Sequence, residues 1–151
     1  MIERRLAELG IVLPAAAAPV ASYVPLVHSG NLLYVSGQLP FIEGQLVTGK
    51  VGSEVSVERG QAAARACGLM ILAQVAKMFG SLERVEQIVK LGVFIASTPD
   101  FHDQPKVANG ASDLMVDIFG ERGKHARSAV SVPVLPLNAA VEIDAVIELS
   151  A

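Results

Sequence analysis

One cysteine, no tryptophan and few aromatic residues of any kind mark this 151-residue chain. The lone Cys67 excludes an intrachain disulfide and a cysteine-based metal cluster, and makes a reducing, cytoplasmic setting the expectation. Aromatics make up 5% of the chain, the formal net charge is −3, and no basic run occurs. Neither a phosphate-neutralising patch nor a base-stacking platform is visible, so nucleic acid is not the expected partner. Charged residues are scarce at 18%, against about 25% in ordinary globular proteins. Hydrophobic residues reach 52%, more apolar surface than one small monomer hides, which predicts a buried subunit interface. No uninterrupted apolar run approaches the ~20 residues of a membrane span.

The N-terminal stretch lacks the uncharged core of a secretory signal, because Glu3 and Glu8 interrupt it. Ile2, Leu6 and Leu9 instead recur at helical spacing before Gly10, and Pro14 and Pro19 then mark an extended arm. Residues 1–20 therefore read as a short helix and an arm leading into one domain that spans 1–151. Two strands follow, Tyr23 to Val27 and Leu32 to Ser36, joined by a turn at Ser29-Gly30-Asn31. Pro25 makes the first an edge strand or a bulged one. The glycine-rich stretch after Pro40 is a loop with one short strand near Leu46-Val47.

Val57 to Phe79 is the strongest element. Ser56 suits its N-cap, Gly80 its end, and Ala63, Cys67, Met70, Ile71, Gln74 and Met78 form one helical stripe. A long apolar strand covers Ile88 to Ala96. A second helix places Val107, Ala111, Leu114, Met115 and Ile118 on one stripe before Gly120. Two final strands, Ala126 to Val132 and Ala140 to Leu149, flank "PVLPLN". The last alternates apolar and acidic residues, as a half-buried strand does. The expected class is α+β: one mainly antiparallel sheet with two helices on one face. The other face then needs a cover, and a second subunit is the natural one.

Most chemistry-bearing residues have a plain structural reading. "GQLVTGKV" matches part of a phosphate-binding loop but has Val51 where Ser or Thr would hold Mg²⁺, so it reads as a glycine-rich surface loop. His28, His102 and His125 share no metal-ligand spacing, and no metal site is expected. Cys67 falls on the buried helical stripe and reads as core. No G-x-S-x-G elbow is present. Arg127 and Glu142 remain, on two strands joined by a connection that would make an antiparallel hairpin. Two readings stay open for them: a surface cross-strand ion pair, or an arginine fork for a substrate carboxylate with a carboxylate nearby to direct water.

"YVSGQLP" (34–40) followed by "ARSAVSVPVLPLNAAVEIDAV" (126–146) resembles the YjgF/Rid family, often labelled endoribonuclease L-PSP. The longer N-terminal segment and the insertion "STPDFHDQPKVANGAS" place the chain in a divergent subgroup of it. The resemblance implies a chorismate-mutase-like fold and a homotrimer with clefts between subunits. It implies hydrolysis of 2-imino or enamine acids to 2-keto acids and ammonia, without metal or cofactor. On this resemblance Arg127 binds the substrate carboxylate and Glu142 holds or activates water. The backbone around Gly37 and Ala129 contributes hydrogen bonds with Ser36 beside it, and Tyr23 lines the cleft. Asn109 is the nearest candidate for the family's asparagine on the second helix. Ala129 stands where the family commonly has cysteine. A binding protein for a small carboxylate or keto acid at the same cleft is the alternative, and a ribonuclease or translation inhibitor a more distant one.

Overall fold

The computed structural model describes residues 1–19 and 22–151. The elements run α1 (Ile2–Glu8), β1 (Leu26–Ser29), β2 (Leu32–Gln38), β3 (Phe41–Ile42), β4 (Gln45–Leu46), α2 (Val57–Phe79), β5 (Val85–Ala96), α3 (Gln104–Phe119), β6 (Ala126–Val132) and β7 (Val141–Leu149). Short 3₁₀ turns at Gly120–Gly123 and Pro136–Asn138 precede β6 and β7. The five-stranded sheet has the order β1-β2-β7-β5-β6, and β3 and β4 form a separate small hairpin. The class is therefore α+β, and the sheet is mixed: β5 and β6 run parallel while the other three pairings are antiparallel.

Local chemistry explains most boundaries. Ser56 caps α2 by accepting a hydrogen bond from the Arg59 amide at 3.1 Å. Gly80 closes the helix in a left-handed conformation. Ala63, Cys67, Met70, Ile71 and Gln74 of the expected stripe are buried. Met78 is not: it is 46% exposed, and in that last turn Phe79 turns inward instead, meeting His28 edge-on. α2 is long and apolar enough to cross a membrane by length and composition, but it is buried against the sheet and α3. The two helices approach most closely at Gly110, where a Cβ would stand 2.0 Å from the Gln61 carbonyl oxygen. Only glycine allows that contact. The second stripe, Val107, Ala111, Leu114, Met115 and Ile118, is buried as expected.

β1 begins at Leu26, just after Pro25, and lies at the sheet's edge. Its hairpin to β2 turns on Gly30 at positive φ, with Ser29 paired to Leu32. The loop "GQLVTGKV" leads into no helix. The Lys50 amide is bonded to the Glu54 carboxylate, and its ammonium to the Pro133 carbonyl.

A second expectation fails. β6 and β7 are not a hairpin: β5 lies between them, paired with β6 on one side and β7 on the other. Parallel pairing needs a long crossover, and α3 with its flanks provides one between β5 and β6. The 133–140 connection then passes the end of β5. Its two prolines and the left-handed Leu137 and Asn138 give it an irregular path that a tight turn would not need.

Candidate functional site

Alternation along the strands assigns each side chain a face. Leu91, Val93, Ile95, Val141, Ile143, Ala145 and Ile147 are buried toward the helices. Arg127 pairs with Leu91 and Ala129 with Val93, so both stand on the helix face. Glu142 pairs with Phe94 and Asp144 with Gly92, on the open face. Arg127 and Glu142 of one chain are therefore separated by a strand and point to opposite sides of the sheet. The cross-strand ion pair is excluded within a protomer. So is a site built from both in one chain.

The Arg127 corner lies where β6 meets α3. Arg127 Nη1 donates to Asn109 Oδ1 at 2.8 Å and to Ser112 Oγ at 3.1 Å. Among the described residues its Nε and Nη2 have no protein partner, so one complete edge of the guanidinium is unused. That edge has the geometry of a carboxylate fork. Ser112 also lies 2.8 Å from His125 Nε2, and His125 Nδ1 lies 2.7 Å from the Gly123 carbonyl oxygen. Asn109, named as the nearest candidate for the family's helix asparagine, is thus in direct contact with Arg127. Sequence reasoning missed Ser112 and weighed His125 only as a metal ligand, although a periodic signal was present. Ser112 follows Asn109 by three on the same helix face, and His125 precedes Arg127 by two.

The Glu142 corner lies at the irregular end of β2. The β2–β7 register shifts between Val35 and Gln38, and Gly37 falls inside that bulge. A Cβ on Gly37 would sit 2.3 Å from Glu142 Oε2, so the carboxylate lies across bare backbone. Partial burial, and then the charge of Asp144, push the Glu142 carboxyl above the ordinary value. Ser36 Oγ donates to the Val24 carbonyl at 2.8 Å, tying the bulge to the segment before β1. Buried Gln74 of α2 donates to Gln38 Oε1 at 3.2 Å and to the Ala17 carbonyl at 2.8 Å. This one amide holds the N-terminal arm beside the bulge. Arm, bulge and Leu137 enclose a cleft of about 140 Å³ that Tyr23 and Gly37 line, with apolar walls from Pro25 and Phe41.

The residues named from sequence thus fall into two sets. Arg127, Asn109 and Ala129 form one, and Tyr23, Ser36, Gly37 and Glu142 the other. Cys67 belongs to neither. It is fully buried, and burial pushes its thiol well above the usual range.

A family described as "YjgF/chorismate_mutase-like, putative endoribonuclease" matches residues 3–149. The chain is 52% identical to Protein TCP17 of Trypanosoma cruzi, covering 99% of this chain and 94% of that protein. It is 32% identical to a 2-iminobutanoate/2-iminopropanoate deaminase of Dermatophagoides farinae, covering 89% and 91%. Among solved structures, a protein of unknown function from Agrobacterium tumefaciens, Atu1372, superposes with a TM-score of 0.91 at 51% identity, covering 99% of this chain and 92% of that one. RidA of Psychrobacter superposes at only 0.61, with 30% identity and coverage of 88% and 93%. The chain belongs to the YjgF/chorismate-mutase-like family.

Proposed function

We propose that the protein hydrolyses small 2-imino acids to 2-keto acids and ammonia at clefts formed between copies of the chain. The observation that carries this reading is the Nε–Nη2 edge of Arg127, which has no partner among the described residues while neutral side chains hold Nη1. A substrate carboxylate fits it bidentately. Glu142, with its raised proton affinity, supplies the base that a water nucleophile needs. Water oxygen adds to the iminium carbon while a proton passes to the Glu142 carboxylate. The resulting carbinolamine takes that proton on nitrogen; as the C–N bond breaks, the hydroxyl proton passes to the Glu142 carboxylate and from there to the departing ammonia, leaving the keto acid, ammonium and an ionised Glu142. The iminium carbon is already electrophilic, so orientation and one base suffice.

Because Arg127 and Glu142 of one chain cannot meet, the two belong to the same cleft only if neighbouring copies supply them. The open sheet face supports such an assembly: Val27, Tyr34 and Val130 are each about half exposed there, at 52%, 47% and 46%. A homotrimer is the proposed state, and light scattering after size exclusion tests it. For activity, the imine is generated in place by an amino-acid oxidase, and keto acid release is followed against buffer. Release above buffer in the wild type and none in Arg127→Lys is expected, since lysine keeps charge but lacks the fork. A wild-type rate equal to buffer would falsify the enzymatic reading.

A non-catalytic carboxylate-binding protein is the second reading. Ala129, standing where the resemblance implies a cysteine, leaves the cleft without that thiol and favours keeping it. Carboxylate binding that needs Arg127, with no turnover, would establish it. Ribonuclease activity draws no support from the site, where Glu142 and Asp144 would repel a phosphate backbone.

A further inference from the structure

The Arg127 corner has a finer construction than a carboxylate fork requires. The Gly123 carbonyl can only accept, so His125 Nδ1, 2.7 Å away, carries the ring proton. In the neutral imidazole Nε2 is then the acceptor, and the Ser112 hydroxyl must donate to it across 2.8 Å. The hydroxyl proton is thereby committed. The oxygen's lone pairs are left for Arg127 Nη1, which donates to it at 3.1 Å. Arg127, Ser112, His125 and the Gly123 carbonyl form one directed chain in which every donor meets an acceptor. Asn109 adds a second acceptor on Nη1 at 2.8 Å.

The chemistry of these partners is informative. An Asp or Glu at the position of Asn109 or Ser112 would hold the guanidinium more strongly. It would also neutralise it and compete with an incoming anion. An amide oxygen and a hydroxyl hold it and leave the full charge available. The surrounding pocket of about 360 Å³ is lined by Ser112, Val116, Lys124, His125 and Arg127, with no carboxylate among them.

We propose that Ser112 and His125 are positioning residues for Arg127. They tie its Nη1 to α3, so that the Nε–Nη2 edge is presented to a carboxylate before the ligand arrives. A free arginine side chain samples many rotamers, and that freedom is lost on binding unless it has already been lost in folding. The inference rests on Arg127 being a carboxylate fork, and its test separates the two ideas.

The probe is pyruvate, titrated by calorimetry into the assembled protein and its variants. Arg127→Ala is expected to abolish binding. Ser112→Ala and His125→Phe are each expected to weaken it about five- to tenfold, the size of one lost hydrogen bond. Ser112→Thr, which keeps the hydroxyl, is expected to restore affinity. The double variant should bind no worse than the weaker single one, because both act through one chain of bonds. If Arg127→Ala binds pyruvate as the wild type does, the fork reading itself falls. If it loses binding while Ser112→Ala and His125→Phe retain it, only the positioning role falls. A measurement on the wild type needs no variant: ¹⁵N spectra of the neutral His125 ring should show the proton on Nδ1. A proton on Nε2 would overturn the directed chain.

Discussion

The corners around Arg127 and Glu142 fix charged groups by opposite means. Arg127 is held by direct hydrogen bonds to neutral side chains on a helix, which leave its charge intact. Glu142 is held mainly by the shape of the neighbouring strand, where the missing side chain of Gly37 gives it room. On the proposed function the first serves recognition, through donors and acceptors, and the second serves reactivity, through the partial burial that makes a carboxylate a better base. Their placement on opposite faces means that, on that proposal, neither corner of one chain is a complete site.

The comparison can be broken most decisively by mixing two dead variants. Arg127→Ala and Glu142→Gln homo-oligomers should each be inactive. Co-refolded in equal amounts, they should regain about a quarter of wild-type imine hydrolysis, the fraction of interfaces at which both residues are intact. No recovery in verified mixed oligomers would place both groups in one chain's site, against the topology. The next effect sharpens the division of labour. Gly37→Ala forces Glu142 aside, and hydrolysis should fall about tenfold while pyruvate affinity stays within about twofold. Equal losses in both would mean that the bulge also shapes the Arg127 corner.

A smaller effect lies in stability against pH. Glu142 binds its proton more tightly in the folded chain than in the unfolded one. Stability therefore falls as pH rises from the ordinary carboxylate range through the raised value, and stays lower above it. Glu142→Gln should melt slightly higher than wild type at neutral pH, with the difference vanishing at pH values below the ordinary carboxylate range. The reverse sign would show a neighbouring guanidinium holding the carboxylate ionised before substrate binds. Smallest of all, Cys67 should not react with a thiol reagent under native conditions, since it is buried and its thiolate disfavoured.

How much of this was legible depended on how local the cause is. α2 and β6 were readable residue for residue, because caps, a glycine stop and periodic patterning act within a few positions. Asn109 was legible only through the family resemblance, as the nearest candidate for a helix asparagine; its bond to Arg127 needs the α3–β6 packing. The pairing of β6 was misjudged because a connection of hairpin length says nothing of a third strand arriving between its ends. Gly37 could be noticed in "SGQ", but that it makes room for Glu142 depends on a register shift of the β2–β7 pair. Met78 failed for a different reason: the stripe was right, but the last turn of a helix can satisfy its inward position with the next residue.

β5 has a consequence that its place in the sheet order hides. Had β6 and β7 been neighbours, a flexible cation and a flexible anion would stand within reach on one surface. They would collapse into a pair and satisfy each other, as surface charges do. By standing between them, β5 insulates two opposite charges within every copy and keeps both unspent, which is what the proposed shared cleft requires of each.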